Sequence, residues 1–184
     1  FSAPEDMPAR RLLTVLAELE IPPHYALQTL QAMRQDVTKT RYRSWGELVA
    51  YAQFSAVPTG RFMLELHGEK DPALTRPCDA CMIVSQVLNC LHDIKHDYTR
   101  LNRIYFPEGW LKETGVEEGM LAGSASTPEV RMLLDKALAK AKALLQDGAP
   151  LGSMVSDKRF AFEIRFWWQC CWRLMRKLQK QDPL

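Results

Sequence analysis

Gln86, Asn89, Asp93 and Asp97, within Gln86-Val-Leu-Asn-Cys-Leu-His-Asp-Ile-Lys-His-Asp-Tyr98, have the types and spacing to hold a charged ligand. Spacings of three, four and four put all four on one face of a helix. Two carboxylates one turn apart repel each other unless a cation lies between or near them. A hard, oxygen-seeking ion such as Mg²⁺ suits that pair, because it takes one or two carboxylates and fills its shell with water and phosphate oxygens. The amides of Gln86 and Asn89 would complete the shell or hold the carboxylates in place. Spacing alone leaves a second reading open, a solvated DxxxD face neutralised by Lys95, His96 and Arg100.

Cys78 and Cys81 form a second pattern, a CxxC. A structural zinc site wants four ligands, usually from two such pairs, and the adjacent Cys170 and Cys171 cannot present two thiolates to one ion in the usual way. Small buried hydrophobes are the better account of these cysteines. Five cysteines, an odd number, argue against a disulfide framework and for a reducing, cytoplasmic setting.

The elements that must position these residues read as helices throughout. Leu12, Val15, Leu16 and Leu19 recur at helical spacing in Pro8–Glu20, and Ala26, Leu27, Leu30, Met33 and Val37 do so from Tyr25 to Val37. Ser44-Trp-Gly-Glu47 is a capping box for a third helix, which Pro58 and Gly60 should interrupt before Arg61–Leu66 resumes. Asp71-Pro72 is a cap-plus-first-turn signal, and one long helix is expected from about Pro77 to Tyr98. Thr127-Pro128-Glu129 opens a helix that stops at Gly148 and Pro150, and a last helix should run from about Ser156 to Lys180. No segment shows convincing period-2 alternation. The expected fold is all-α, a helical bundle forming one domain over residues 1–184.

The composition is that of a globular protein, with 47% hydrophobic and 25% charged residues. A net charge of +2, with basic residues scattered, gives no ground for nucleic acid as a partner. No apolar run reaches the length that spans a bilayer, so a soluble or at most peripheral protein is expected. The final helix carries Phe166-Trp-Trp168 and Trp172 among Arg165, Arg173, Arg176 and Lys177. Contact with a membrane surface is one reading of it, and core packing with snorkelling basic stems is the other.

Two ordered blocks carry a resemblance. The run Gln86 to Pro107, ending in Asn102-Arg-Ile-Tyr-Phe-Pro107, resembles the second aspartate-rich motif of the squalene/phytoene synthase family. Arg34-Gln-Asp-Val-Thr-Lys-Thr-Arg-Tyr42, then Tyr51, then Ser55-Ala-Val-Pro-Thr-Gly-Arg61 is similar to the hydroxysqualene synthase branch of that family. The resemblance runs from about Pro22 to the final helix. It implies a type I isoprenoid-synthase bundle around a deep apolar cavity, with Mg²⁺ bridging two aspartate-rich motifs to an isoprenoid diphosphate. Metal ions neutralise the leaving group as its charge develops, and the apolar cavity holds the chain and limits water. In this branch the substrate is presqualene diphosphate, and water captures the rearranged cation; in sister branches two farnesyl or geranylgeranyl diphosphates are joined head to head.

Carried over residue by residue, the resemblance makes Asp93 and Asp97 metal ligands, with Gln86 and Asn89 at the same mouth. Arg103 and Tyr105 would approach the diphosphate or order the loop, and Asp36, Tyr51, Gly60 and Arg61 would line or shape the cavity. Gly60 would let a substrate approach closely. For Arg61 a surface charge is the plain alternative, and for Tyr51 a core aromatic. His92 stands where sister enzymes often have Arg. The family's first aspartate motif lies upstream of this text, no acidic pair at that spacing precedes Asp36, and Phe1 is not an initiator. The expectation is therefore a bundle lacking its N-terminal helices, inactive alone. A non-catalytic assembly protein on the same fold is the competing expectation, although it has no evident use for Asp93 and Asp97.

Overall fold

Helix ends fall where side chains can satisfy the first free amides. The computed structural model describes residues 8–184, so Phe1 and the start of the expected domain lie outside the described residues. The described chain begins with α1 (Pro8–Glu18) and α2 (His24–Asp36), separated by the Pro22-Pro23 pair. Next comes α3 (Trp45–Ser55), where Ser44 Oγ accepts from the Glu47 N–H at 3.2 Å. The reciprocal bond of the box goes one residue further back: the Glu47 carboxylate accepts from the Arg43 N–H at 2.5 Å. In α4 (Val57–Leu66) the outcome differs from expectation, because the chain breaks at Ala56 and Pro58 sits in the first turn. A proline there loses no helical hydrogen bond, so Gly60 and Arg61 continue one helix.

The expected long helix is two helices, α5 (Thr75–His92) and α6 (Ile94–Leu101), with Asp93 between them at φ −96°, ψ 12°. A 3₁₀ turn, Pro72–Leu74, leads into α5 and is capped by Asp71. Then follow α7 (Glu108–Thr114) and α8 (Pro128–Gly148), whose cap Thr127 accepts from the Val130 N–H at 3.4 Å. After α9 (Leu151–Met154), α10 (Lys158–Lys180) starts two residues later than expected. Asp157 caps it, accepting from the Arg159 and Phe160 N–H groups at 2.8 and 3.2 Å.

The core lies between α5 and α8, where Val84, Leu88, Val130, Leu133, Leu134 and Ala141 are fully shielded from solvent. The tail of α8 comes so close to α5 that a Cβ on Gly148 would stand 2.6 Å from Cys81 Sγ and 3.1 Å from its backbone nitrogen. Against α8, α10 buries Cys171, Met175 and Leu178, and Trp168 Nε1 donates to the Leu145 carbonyl at 2.9 Å. Trp167, Trp168 and Trp172 thus pack on the core, while Phe162 and Phe166 stay exposed. The stripes of α1 and α2 are helical as expected, yet Leu12, Val15, Leu19, Leu27, Leu30 and Met33 face solvent. Among the described residues β-structure is limited to one isolated parallel bridge, Tyr42 to Pro107, and no helix is long and apolar enough to cross a membrane.

Candidate functional site

Although α5 and α6 are separate, the backbone stacks Asn89, Asp93 and Asp97 as an unbroken helix would. The Asp93 N–H donates to the Asn89 carbonyl at 2.9 Å, and the Asp97 N–H donates to the Asp93 carbonyl at 2.8 Å. The kink therefore keeps the two carboxylates one turn apart on a common side. Each carboxylate leans on the histidine before it: His92 Nδ1 lies 2.7 Å from Asp93 Oδ1, and His96 Nδ1 lies 3.1 Å from Asp97 Oδ1. Asp93 is the more open side chain, at 36% exposure against 13% for Asp97. Lys95 takes no part in neutralising the pair, since its ammonium donates to the carbonyls of Gly123 and Leu184 at 2.7 and 3.1 Å.

The ladder continues into the turn after α6. The Arg103 N–H donates to the Asp97 carbonyl at 3.0 Å, and Asn102 adopts the left-handed conformation with φ 49°. Arg41 holds that turn. Its guanidinium donates to the Asn102 carbonyl, to Asn102 Oδ1 at 2.8 Å, and to both Glu118 carboxylate oxygens at 2.8 Å each. A short parallel pairing then lays residues 104–108 beside residues 40–42: the Ile104 N–H donates to the Thr40 carbonyl at 2.9 Å, and the Glu108 N–H to that of Tyr42 at 2.8 Å. The two sequence blocks that carry the resemblance meet along this pairing.

Their meeting builds a largely buried polar and aromatic cluster. Tyr51 OH donates to Asp36 Oδ2 at 3.1 Å. Arg103 turns inward, donating to the Asp36 carbonyl at 2.6 Å and to Tyr105 OH at 3.2 Å. Its Nη1 lies 3.5 Å from Asp36 Oδ1, an ion-pair contact too loose to count as a hydrogen bond for that oxygen. The rings of Tyr42 and Tyr105 stack at 5.5 Å, and Tyr51 meets them at 5.7 and 6.0 Å. Burial pushes the Tyr105 hydroxyl up to about 12 and those of Tyr42 and Tyr51 higher still, with Asp36 adding to both. All three are neutral phenols at physiological pH.

Among the described residues four buried side-chain polar atoms have no hydrogen-bond partner: Asp36 Oδ1, Tyr42 OH, Ser55 Oγ and Arg103 Nε. Three belong to this cluster, and Ser55 stands one turn beyond Tyr51 on α3. Buried polar groups are ordinarily paired, so such a concentration is a feature to explain.

The predicted residues divide into two places. Asp36, Tyr51, Arg103 and Tyr105 come together here, tied through the Arg103 amide to Asp97 and so to Asn89 and Asp93. Gln86 reaches the same side, its Nε2 lying 3.6 Å from Cys90 Sγ. Gly60 and Arg61 are elsewhere on α4. Gly60 lines an apolar cavity of about 400 Å³ with Met63, Cys78, Met82, Phe166 and Trp167. A Cβ at Gly60 would lie 2.4 Å from Met82 Cγ, so the glycine is what lets α4 and α5 meet there. Arg61 points to Asp79 on α5, a bidentate pair at 2.8 and 2.6 Å that braces the two helices. Arg41, Tyr42, Ser55 and Glu118 were not picked out as site residues from sequence. Arg41 and Tyr42 lay inside a motif already quoted, whereas Glu118 contacts Arg41 across 77 residues and had no local signal.

On α5, Cys78, Met82, Gln86, Asn89 and Asp93 follow one another at helical spacing along a single face. From Met82 to Asp93 is about 16 Å of helix axis. One end of that face borders the apolar cavity and the other carries the carboxylates. The layout fits a ligand with a charged head and a long apolar tail.

A model of the squalene/phytoene synthase family matches residues 2–184. The hydroxysqualene synthase of Rhodopseudomonas palustris is 38% identical over 181 residues, covering 98% of this chain and 61% of the relative. That of Sinorhizobium fredii is 37% identical, covering 96% of this chain and 60% of the relative. The crystal structure of the squalene synthase HpnC from Alicyclobacillus acidocaldarius superposes with a TM-score of 0.87 at 30% identity, covering 95% of this chain and 66% of that one. The chain thus spans about 60% of the length of these curated relatives. It belongs to the squalene/phytoene synthase family.

Proposed function

We propose that this member of the squalene/phytoene synthase family acts in Mg²⁺-dependent ionisation of presqualene diphosphate, with water capturing the cation to give hydroxysqualene. The observation that carries the proposal is the single face of α5, continued in register through Asp93 to Asp97 on α6 at one end and reaching the cavity beside Met82 and Gly60 at the other. The relatives named hydroxysqualene synthase support the choice of reaction.

Among the described residues no group of three or more His, Cys, Asp or Glu side chains is gathered for a metal. Two carboxylates with an amide nearby still fit Mg²⁺, which keeps several waters and relies on substrate phosphate oxygens. Asp93 and Asp97 would hold it, with Asn89 beside them, and once bound it supplies positive charge against the departing diphosphate. The rest of the work falls to the chain. Asp36 and Tyr105 hold the Arg103 guanidinium in place, so that it would add a fixed positive charge for the diphosphate. The apolar walls contributed by α4, α5 and α10 hold the hydrocarbon and restrict access of water.

The test is a product assay on the full-length gene product, on this 184-residue chain and on an Asp93→Ala variant. Each is incubated with Mg²⁺ and either presqualene or farnesyl diphosphate, and lipids are identified by mass spectrometry. Hydroxysqualene from presqualene diphosphate, lost in the variant by two orders of magnitude or more, is the expected result, about what removal of one transition-state charge contact costs. A C30 product made directly from farnesyl diphosphate moves the protein to another branch. No product from either substrate with the full-length protein leaves the non-catalytic reading in its place.

A further inference from the structure

The four unpartnered buried atoms do not all serve the diphosphate end. Asp36, Tyr42 and Arg103 lie within the polar cluster, but Ser55 is the last residue of α3, placed along the chain between Tyr51 of that cluster and the residues of α4 that line the apolar cavity. Four residues before it stands Tyr51, whose hydroxyl is bonded to Asp36. Four and five residues after it stand Thr59 and Gly60, which line the cavity. A serine near the end of a helix commonly bonds back to the carbonyl one turn earlier. Ser55 makes no such bond, and its oxygen is shielded from solvent. Its capacity as both donor and acceptor is therefore available to a guest.

Resting on the proposed reaction, we infer that Ser55 holds the water molecule that captures the cation, and so sets alcohol against hydrocarbon as the product. A water in an apolar enclosure needs at least two polar partners to stay ordered. Ser55 Oγ supplies one. The oxygen of Tyr51 supplies the other, because its single proton is committed to Asp36. With both O–H bonds engaged, a water lone pair faces the cavity. That pair forms the new C–O bond to the cationic carbon. One water O–H bond then breaks, leaving its electrons on oxygen. The proton passes to the Tyr51 oxygen as Tyr51 gives its own to the Asp36 carboxylate. The products are a neutral alcohol and a protonated Asp36, which later loses its proton to solvent or to the released diphosphate. Without the held water the cation loses a proton from a neighbouring carbon and leaves as a hydrocarbon with one further double bond.

The experiment reads the ratio of hydroxysqualene to dehydrated C30 hydrocarbon made from presqualene diphosphate by the full-length protein with Mg²⁺. A ratio is unaffected by a general loss of turnover. Ser55→Ala should lower it roughly five- to tenfold, the factor that one neutral hydrogen bond carries. Ser55→Thr keeps a hydroxyl and should hold the ratio near wild type. Ser55→Cys, of similar size with a much weaker hydrogen-bonding group, should follow Ser55→Ala, and it carries the comparison if the alanine variant fails to fold. An unchanged ratio in Ser55→Ala or Ser55→Cys overturns the inference while leaving the proposed reaction standing. A wild-type protein that releases diphosphate yet makes no alcohol overturns both.

Discussion

Cys81 donates its S–H to the Gly148 carbonyl at 3.4 Å, and Cys78 lines the apolar cavity beside Gly60. Burial raises both thiols to about 12, and Cys171 to about 11. Cys170 alone among the five cysteines is exposed. Native protein treated with iodoacetamide near pH 7.5 should therefore gain one adduct, at Cys170, by mass spectrometry, and all five only after denaturation. The same shifts fix a pH dependence. A group that holds its proton more tightly when folded stabilises the fold fully below its unfolded value. Stability from Cys78 and Cys81 should thus be intact below the ordinary thiol value of 9.0 and decline as pH climbs from there toward about 12. A thermal melt that does not weaken across that range would contradict the burial of these thiols.

At the scale of the elements, the interruption at Asp93 shows how a helix can break without losing its register. Asp93 leaves helical geometry, yet it both donates to Asn89 and accepts from Asp97. The neighbouring α5–α8 contact is less forgiving. Gly148 comes so near Cys81 that an added methyl meets a backbone nitrogen at 3.1 Å as well as the sulfur. Gly148→Ala should cost about 1–3 kcal/mol of unfolding free energy by urea titration, the range for overpacking a filled interior. A stability equal to wild type would mean that α8 slides to make room.

Across the whole molecule, the helical stripes do not all mean the same thing. Leu134 on α8 is completely enclosed, whereas Leu27, Leu30 and Met33 on α2 are more than half exposed. Leu134→Ala should cost about 2–5 kcal/mol. The triple change Leu27→Gln, Leu30→Gln and Met33→Gln should shift stability by only about 0.5 kcal/mol per site. It should also lower binding of a fluorescent apolar dye, because contiguous exposed apolar surface is what such dyes report. Equal losses in the two variants, measured by denaturant titration, would show that α2 is buried in solution.

Sequence alone determined the secondary structure class and the chemistry-bearing stretch. Helical periodicity and caps such as Ser44, Asp71 and Thr127 act within a few residues, so they are legible locally. The i, i+4 placement of Asn89, Asp93 and Asp97 was legible for the same reason, and it survives a break that no proline or glycine announces. The family, too, could be read from two short blocks. Tertiary structure decided what those patterns face. Periodicity states that α2 has an apolar side but cannot say whether anything covers it. Arg61 was grouped with the site, yet it braces α4 against α5, because a guanidinium goes to whichever carboxylate the packing brings near. The convergence of Asp36, Tyr42, Tyr51, Arg103 and Tyr105 depends on residues 104–108 pairing with residues 40–42, a contact across more than sixty positions. Ser55 opens one of the blocks that carry the resemblance, but nothing in the sequence gives its hydroxyl a task. Only the fold, by enclosing its hydroxyl without giving it a partner, marks it out.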